Sequence, residues 1–216
     1  GGYIGLEMGS VWKRLGSNVT VIEYFDHIIP GMDSDISREF LKILTKQGIK
    51  FKLNTKVNSA KLLKNGAEIY CINNKTSAEE KIFADKVLVA VGRRSNFDGL
   101  NLDGIKIKMD KENKIKVSKN FKTSVENIYA IGDVIEGPML AHKAEEEGIA
   151  VAEIIAGKAG HVNYDLIPGV IYTSPEVASV GKTEEELKDN KVNYKVGKFP
   201  FMANSRAKAI DEPTGF

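Results

Sequence analysis

Gly1-Gly2-Tyr3-Ile4-Gly5-Leu6-Glu7, a helical run to Gly16, and then Val19-Thr20-Val21-Ile22-Glu23 form the stretch on which the fold turns. Its order is a glycine-rich turn, a helix, a short β-branched strand and an acid at the strand's end. That is most of a dinucleotide-binding βαβ unit. In the pattern G-x-G-x-x-G, Gly2 and Gly5 fill the second and third glycine positions and Gly1 is the x. The first glycine and its strand would precede residue 1, so the expectation is a stretch of a longer protein.

Each part of this stretch has a physical reason. Residues 3–15 carry apolar side chains at Ile4, Val11, Trp12 and Leu15, and Gly16 suits the position that ends a helix. The free N–H groups and positive dipole end of such a helix favour an anion, here a pyrophosphate. Gly2 lets the backbone approach the phosphates, and Gly5 lets helix and strand pack closely. Glu23 stands 18 positions after Gly5, near the spacing of about 20 at which an acid accepts hydrogen bonds from the adenosine ribose. A carboxylate there repels a 2′-phosphate. Tyr24-Phe25-Asp26-His27 supplies no lysine or arginine to hold one. The preference is therefore NAD over NADP.

Beyond Glu23, Asp33 or Ser34 should cap a second helix that buries Ile36, Phe40, Leu41, Ile43 and Leu44 and closes at Gly48. Strands follow at 49–53, 56–63 and 67–73, the last two forming a hairpin over Lys64-Asn65-Gly66. After a polar loop, Phe83 to Val91 reads as a buried parallel strand running into Gly92-Arg93-Arg94. Residues 105–107, 114–117 and 127–131 read as short strand pieces, the last ending in Gly132-Asp133. A helix is expected from Leu140 to near Gly157, with Ala141, Ala144, Ile149, Val151, Ala152, Ile154 and Ile155 as its apolar positions. Strands 170–173 and 177–181, a helix capped by Thr183, and a strand at 194–201 complete the reading.

Composition excludes several classes. The 31 basic and 29 acidic residues are mixed along the chain and leave a net charge of +2, which gives no nucleic-acid or membrane-surface footprint. No apolar run approaches the roughly 20 residues of a membrane span. The single cysteine, Cys71, permits no internal disulfide and lies in an alternating strand-like stretch, as a buried thiol would. The three histidines, His27, His142 and His161, have no zinc-like spacing, so no metal site is expected. Glu145-Glu146-Glu147 reads as part of a solvated helix face.

Several motifs occur together in order: Gly-Gly-Tyr-Ile-Gly-Leu-Glu, Val-Ile-Glu, Val-Gly-Arg-Arg, Tyr-Ala-Ile-Gly-Asp and Met139-Leu140-Ala141-His142-Lys143-Ala144. Ile171-Tyr172-Thr173-Ser174-Pro175-Glu176 and the run Lys198 to Ala207 follow. With these motifs the chain resembles the flavin-dependent pyridine nucleotide–disulfide oxidoreductases, and within them the branch that oxidises dihydrolipoamide. The resemblance implies an α/β fold: a Rossmann-like NAD-binding domain with a parallel sheet and β-meander over 1–94, an FAD-contacting central region over 95–164, and the start of an α+β dimerisation domain over 165–216.

The resemblance also assigns roles. Gly1, Gly2, Tyr3, Ile4, Gly5, Leu6 and Glu7 would wrap the NAD pyrophosphate, Glu7 lying near the nicotinamide. Glu23 would hold the ribose, Val57 would line the adenine pocket, and Gly92 would approach NAD through its backbone. Asp133 would bind the ribityl chain of FAD. Met139, Leu140, Ala141 and His142 would border the flavin. The family's redox cysteines would lie before residue 1 and its His–Glu pair after Phe216, so no catalytic residue is expected in this stretch, and Cys71 matches neither cysteine. The implied cofactors are FAD and NAD. The implied partners are a second copy of the protein and the lipoyl domains of 2-oxoacid dehydrogenase complexes. The implied compartment is the bacterial cytoplasm or, alternatively, the mitochondrial matrix. Mercuric, glutathione-type and transhydrogenase relatives, or a non-catalytic dinucleotide-binding module, are the other readings.

Overall fold

The computed structural model describes residues 1–216. It comprises two compact units, Gly1–Val91 together with Val170–Phe216, and Gly92–Gly169.

In the first unit, helix α1 (Tyr3–Arg14) leads to strand β1 (Thr20–Ile22), helix α2 (Ser34–Lys46) and strand β2 (Lys50–Lys52). β1 and β2 pair in parallel, Val21 opposite Phe51. This is a β-α-β crossover, the connection that parallel neighbouring strands require. The Asp33 carboxylate caps α2 by accepting from the Asp35 N–H, and Gly48 follows the helix at φ +91°. Leu6, Val21, Ile28, Phe40, Leu44, Ile49 and Ile171 form one buried core, so β6 (Gly169–Ile171) contributes to the same interior as α1 and α2.

The stripe expected on α1 is turned outward. Leu6, Gly9 and Ser10 face the core, while Ile4, Val11, Trp12 and Leu15 are exposed. A Cβ on Gly9 would stand 3.4 Å from the Val19 side chain, so helix and chain approach closely at that position.

Strands β3 (Thr55–Leu63), β4 (Gly66–Asn73) and β5 (Glu79–Ala84) make an antiparallel meander. Ala67, Ile69 and Cys71 alternate inward on β4, as a period of two requires. β5 corrects the expected strand over 83–91. The meander takes the chain only to Ala84, and Val87, Leu88, Val89 and Val91 are exposed with no strand beside them. A run of apolar residues becomes a strand only where a neighbour completes its hydrogen-bond ladder.

β6 pairs with β7 (Val177–Ser179), and α4 (Glu184–Asp189) starts at a capping box between Thr183 and Glu186. The strand expected over 194–201 is absent. That segment has no ladder partner and leads through a 3₁₀ turn to α5 (Ser205–Ala209).

The second unit is built mainly from turns around one helix, α3 (Ala141–Ile155). The strand pieces expected at 105–107, 114–117 and 127–131 reduce to isolated bridges, Met109 with Ile115 and Lys122 with Tyr129. Ile107, Ile115, Phe121, Ala130, Ile135, Ala150 and Val162 form its core.

Candidate dinucleotide and flavin sites

In the first unit, the α1 N-terminus begins at Gly2, with no side-chain cap and no acid in its first turn. The N–H groups of that turn have no intrahelical partner. A Cβ on Gly2 would meet nothing within 4 Å, so its lack of a side chain answers no packing demand within the protein. It leaves open space in front of the helix, where an incoming phosphate needs it. Gly5 is different. A Cβ there would contact the Ala90 methyl at 3.6 Å, which places the helix closely over the segment after β5.

Glu23 follows β1 and its side chain is 12% exposed. One carboxylate oxygen accepts from the Phe25 N–H at 2.9 Å, and the other faces the glycine turn. Partial burial pushes this carboxyl up. The bond from the Phe25 N–H opposes it. A Cβ on Gly1 would fall 2.7 Å from the Glu23 Oε2 atom. The Gly1 carbonyl in turn accepts from the N–H of Ile29, a fully buried residue held at φ +48°. Turn, acid and the loop after β1 are thus tied together.

The other assigned residues of this unit are less concentrated. Tyr3 and Ile4 open α1, and burial raises the Tyr3 phenol. Leu6 is a core residue. Glu7 accepts from the Tyr172 N–H at 2.8 Å. Val57 is exposed on β3 beside a bulge, and that strand begins where the Thr55 N–H donates to the Glu23 carbonyl. Gly92, at φ +139°, falls in the second unit.

In the second unit, Asp133 sits in a 3₁₀ turn, Gly132–Val134. Its carboxylate meets the Arg93 guanidinium at 3.0 Å, and its carbonyl accepts from the Ser95 hydroxyl at 2.7 Å. α3 begins at Leu140, again without a side-chain cap or an acid in its first turn. Met139, Leu140 and His142 are half-buried there and Ala141 is exposed. An uncapped helix start beside a carboxylate that can accept hydroxyl hydrogen bonds fits a polar, partly anionic cofactor.

Beneath these residues lies a polar network that the sequence reading missed. Lys143 and Glu147 are buried on α3, and the ammonium stands 3.0 Å from the carboxylate. Glu147 accepts from the Gly132 N–H at 2.6 Å, and Lys143 donates to the Gly132 carbonyl at 3.1 Å. The Tyr164 hydroxyl donates to the other Glu147 oxygen at 2.9 Å. Burial first, and then the bond to Glu147 and its charge, push the Tyr164 phenol up to about 12. Glu145 and Glu146 are solvated as expected, but Glu147 is not, because Gly132 gives its carboxylate a partner inside the protein. The i,i+4 spacing of Lys143 and Glu147 was the only signal in the sequence. Ile149 and Ile155, read as apolar helix positions, are exposed.

Residues 1–148 match the family described as pyridine nucleotide-disulphide oxidoreductase, and residues 167–216 match its dimerisation domain. The chain is 56% identical over 214 residues to the mitochondrial dihydrolipoyl dehydrogenase of Pisum sativum, covering 99% of this chain and 43% of that protein. It is 53% identical over 215 residues to dihydrolipoyl dehydrogenase 3 of Pseudomonas putida, covering 100% of this chain and 46% of that protein. Among solved structures, it resembles an HOCl-induced flavoprotein disulfide reductase of Escherichia coli with a TM-score of 0.87 and 26% identity. That likeness covers 99% of this chain and 48% of the other. The chain spans about half the length of the relatives it matches.

Proposed function

The chain belongs to the pyridine nucleotide-disulphide oxidoreductase family, and from that premise we propose that it serves the oxidation of dihydrolipoamide to lipoamide with reduction of NAD. Its two relatives named above both carry the name dihydrolipoyl dehydrogenase, which supports this branch over the mercuric, glutathione and transhydrogenase branches. In this reading Gly1 through Glu7 and Glu23 hold NAD, with Val57 at the adenine and Gly92 contributing backbone. Asp133 and the residues Met139 to His142 face FAD. Bound FAD and NAD supply the electron and hydride chemistry, and the side chains described here bind and orient them.

One observation carries the NAD assignment. Glu23 follows β1, accepts from the Phe25 N–H and stands against the glycine turn that opens α1, whose N-terminus has no side-chain cap. A carboxylate so placed accepts from ribose hydroxyls and repels a 2′-phosphate. The dimerisation segment supports a homodimer, and in this reading the lipoyl domains of 2-oxoacid dehydrogenase complexes are the macromolecular partner. The compartment is the bacterial cytoplasm or the mitochondrial matrix. No helix is long and apolar enough to cross a membrane.

Fluorescence titration with NADH and NADPH tests the assignment. Hydrogen bonds to a charged group contribute about 1.5–3 kcal/mol, so Glu23→Ala should weaken NADH binding roughly tenfold or more. It should also narrow the preference over NADPH. Tighter binding of NADPH than NADH by the unsubstituted protein would refute the role given to Glu23.

A further inference from the structure

Gly132 is gripped on both of its backbone polar groups by side chains of a single helix. Glu147 accepts from its N–H and Lys143 donates to its carbonyl. The two residues are one turn apart on α3, fully buried, and paired to each other. Gly132 sits at φ +71°, and a Cβ there would stand 3.1 Å from the Ala144 methyl, so the turn lies directly on the first turns of α3. The next residue is Asp133. The helix start at Leu140 lies three residues before Lys143.

We propose that Lys143 and Glu147 are positioning residues for the flavin, locking the Asp133 turn onto α3 so that the carboxylate and the helix N-terminus form one rigid acceptor–donor unit. This rests on the reading of Asp133 and the α3 N-terminus as the FAD-facing residues. Lys143 and Glu147 are buried and bonded to the Gly132 peptide and to each other. They act through Gly132, whose two peptide groups set the direction of the Asp133 backbone. Burial strengthens the grip, because the low local dielectric favours both the ion pair and its bonds to the peptide. Tyr164 completes the Glu147 acceptor set from the other side without touching Gly132.

The test uses the full-length flavoprotein that contains this chain, stripped of flavin and titrated with FAD at a temperature where circular dichroism shows each variant folded. Replacing a buried ion pair by apolar residues of similar volume commonly preserves folding, so Lys143→Leu/Glu147→Leu removes the grip while keeping the core. Its dissociation constant for FAD should rise at least tenfold, with NADH affinity changed less than twofold. Tyr164→Phe should leave FAD affinity within twofold.

Combination with Asp133→Ala separates positioning from general damage. If the grip acts through Asp133, the losses do not add, and Asp133→Ala costs little further affinity once the grip is gone. Full additivity, or an FAD constant within twofold of the parent in the folded double variant, would overturn the inference while leaving the Asp133 reading intact. An unchanged FAD constant in Asp133→Ala alone would remove that reading and the inference with it. Should the leucine pair fail to fold, Lys143→Met/Glu147→Gln takes its place, and a change of no more than twofold overturns the proposal.

Discussion

Gly132→Ala perturbs one atom group at the point where α3 meets the Asp133 turn, and its effect on stability can be worked from the structure. Gly132 lies at φ +71°, in the left-handed region. An L-residue there costs about 1–2 kcal/mol. The added Cβ would stand 3.1 Å from the Ala144 Cβ, inside the usual carbon–carbon contact of about 3.5–4.0 Å. Relief must come from moving the turn or the helix, and overpacking of this kind costs about 1–3 kcal/mol. The Gly132 peptide cannot shift freely, because Lys143 and Glu147 hold both its groups. The two contributions together are about 2–5 kcal/mol. At roughly 2–4 °C per kcal/mol for a protein of this size, the midpoint should fall by about 4–20 °C. Calorimetry on the flavin-free protein measures it. A second substitution isolates the steric part. Ala144→Gly costs about 1 kcal/mol in an ordinary helix position, but in the Gly132→Ala background it should cost less or recover stability. A midpoint lowered by less than about 2 °C would refute the assignment of Gly132 as a position closed to side chains.

Two further outcomes follow from groups displaced from their ordinary ionisation. Tyr164 keeps its proton in the folded state up to about 12, whereas a free phenol releases it near 10. Its contribution to stability is therefore complete below about pH 10 and is lost as pH rises towards 12, the sign expected when folding raises a pKa. Denaturation measured from pH 9 to 12 should show a steeper decline for the parent than for Tyr164→Phe, and parallel curves would refute it. Cys71 is buried on β4, and burial first, then the Glu80 charge, push its thiol up against a smaller opposing effect of Lys52. Alkylation located by mass spectrometry should leave Cys71 unmodified in the folded protein and label it promptly in denaturant; equal rates in both states would contradict its placement.

How much of this could be read from the chain depended on the range of the interaction involved. Local chemistry was legible. Gly16, Gly48 and Gly157 close their helices at positive φ, Asp33 and Thr183 open theirs, and the hairpin turns at the Asn65-Gly66 position, because each is decided within a few residues. Features set by neighbours elsewhere in the chain were not. The apolar run from Val87 to Val91 looks like a strand, but a strand exists only beside a partner. The bulky residues of α1 look like its buried face, but Leu6, Gly9 and Ser10 are the residues that face inward. Glu147 looks like its two solvated neighbours, and only the Gly132 N–H fifteen residues earlier explains why it is buried. In the candidate sites, the glycine turn before α1 and Glu23 after β1 were legible because both are local features of a turn, a helix start and a strand end. The support beneath Asp133 was not, because nothing in a run of acids distinguishes the one that faces inward.

The helix starts carry the argument one step beyond motif matching. Three of the five α-helices are capped by their own side chains: Asp33 on α2, Thr183 on α4 and Asn204 on α5. The remaining two, α1 and α3, begin at Gly2 and Leu140 with neither a side-chain cap nor an acid in the first turn. Omitting a cap costs about 1 kcal/mol, so a chain that caps its other helices leaves these two open at a disadvantage unless something else meets their N–H groups. Both open ends coincide with the motifs assigned to cofactors, the glycine turn before α1 and the segment Met139 to His142 before α3. The missing caps and the sequence motifs therefore fall at the same two places. An anion or a polar ring edge bound there would supply the acceptor that each helix lacks.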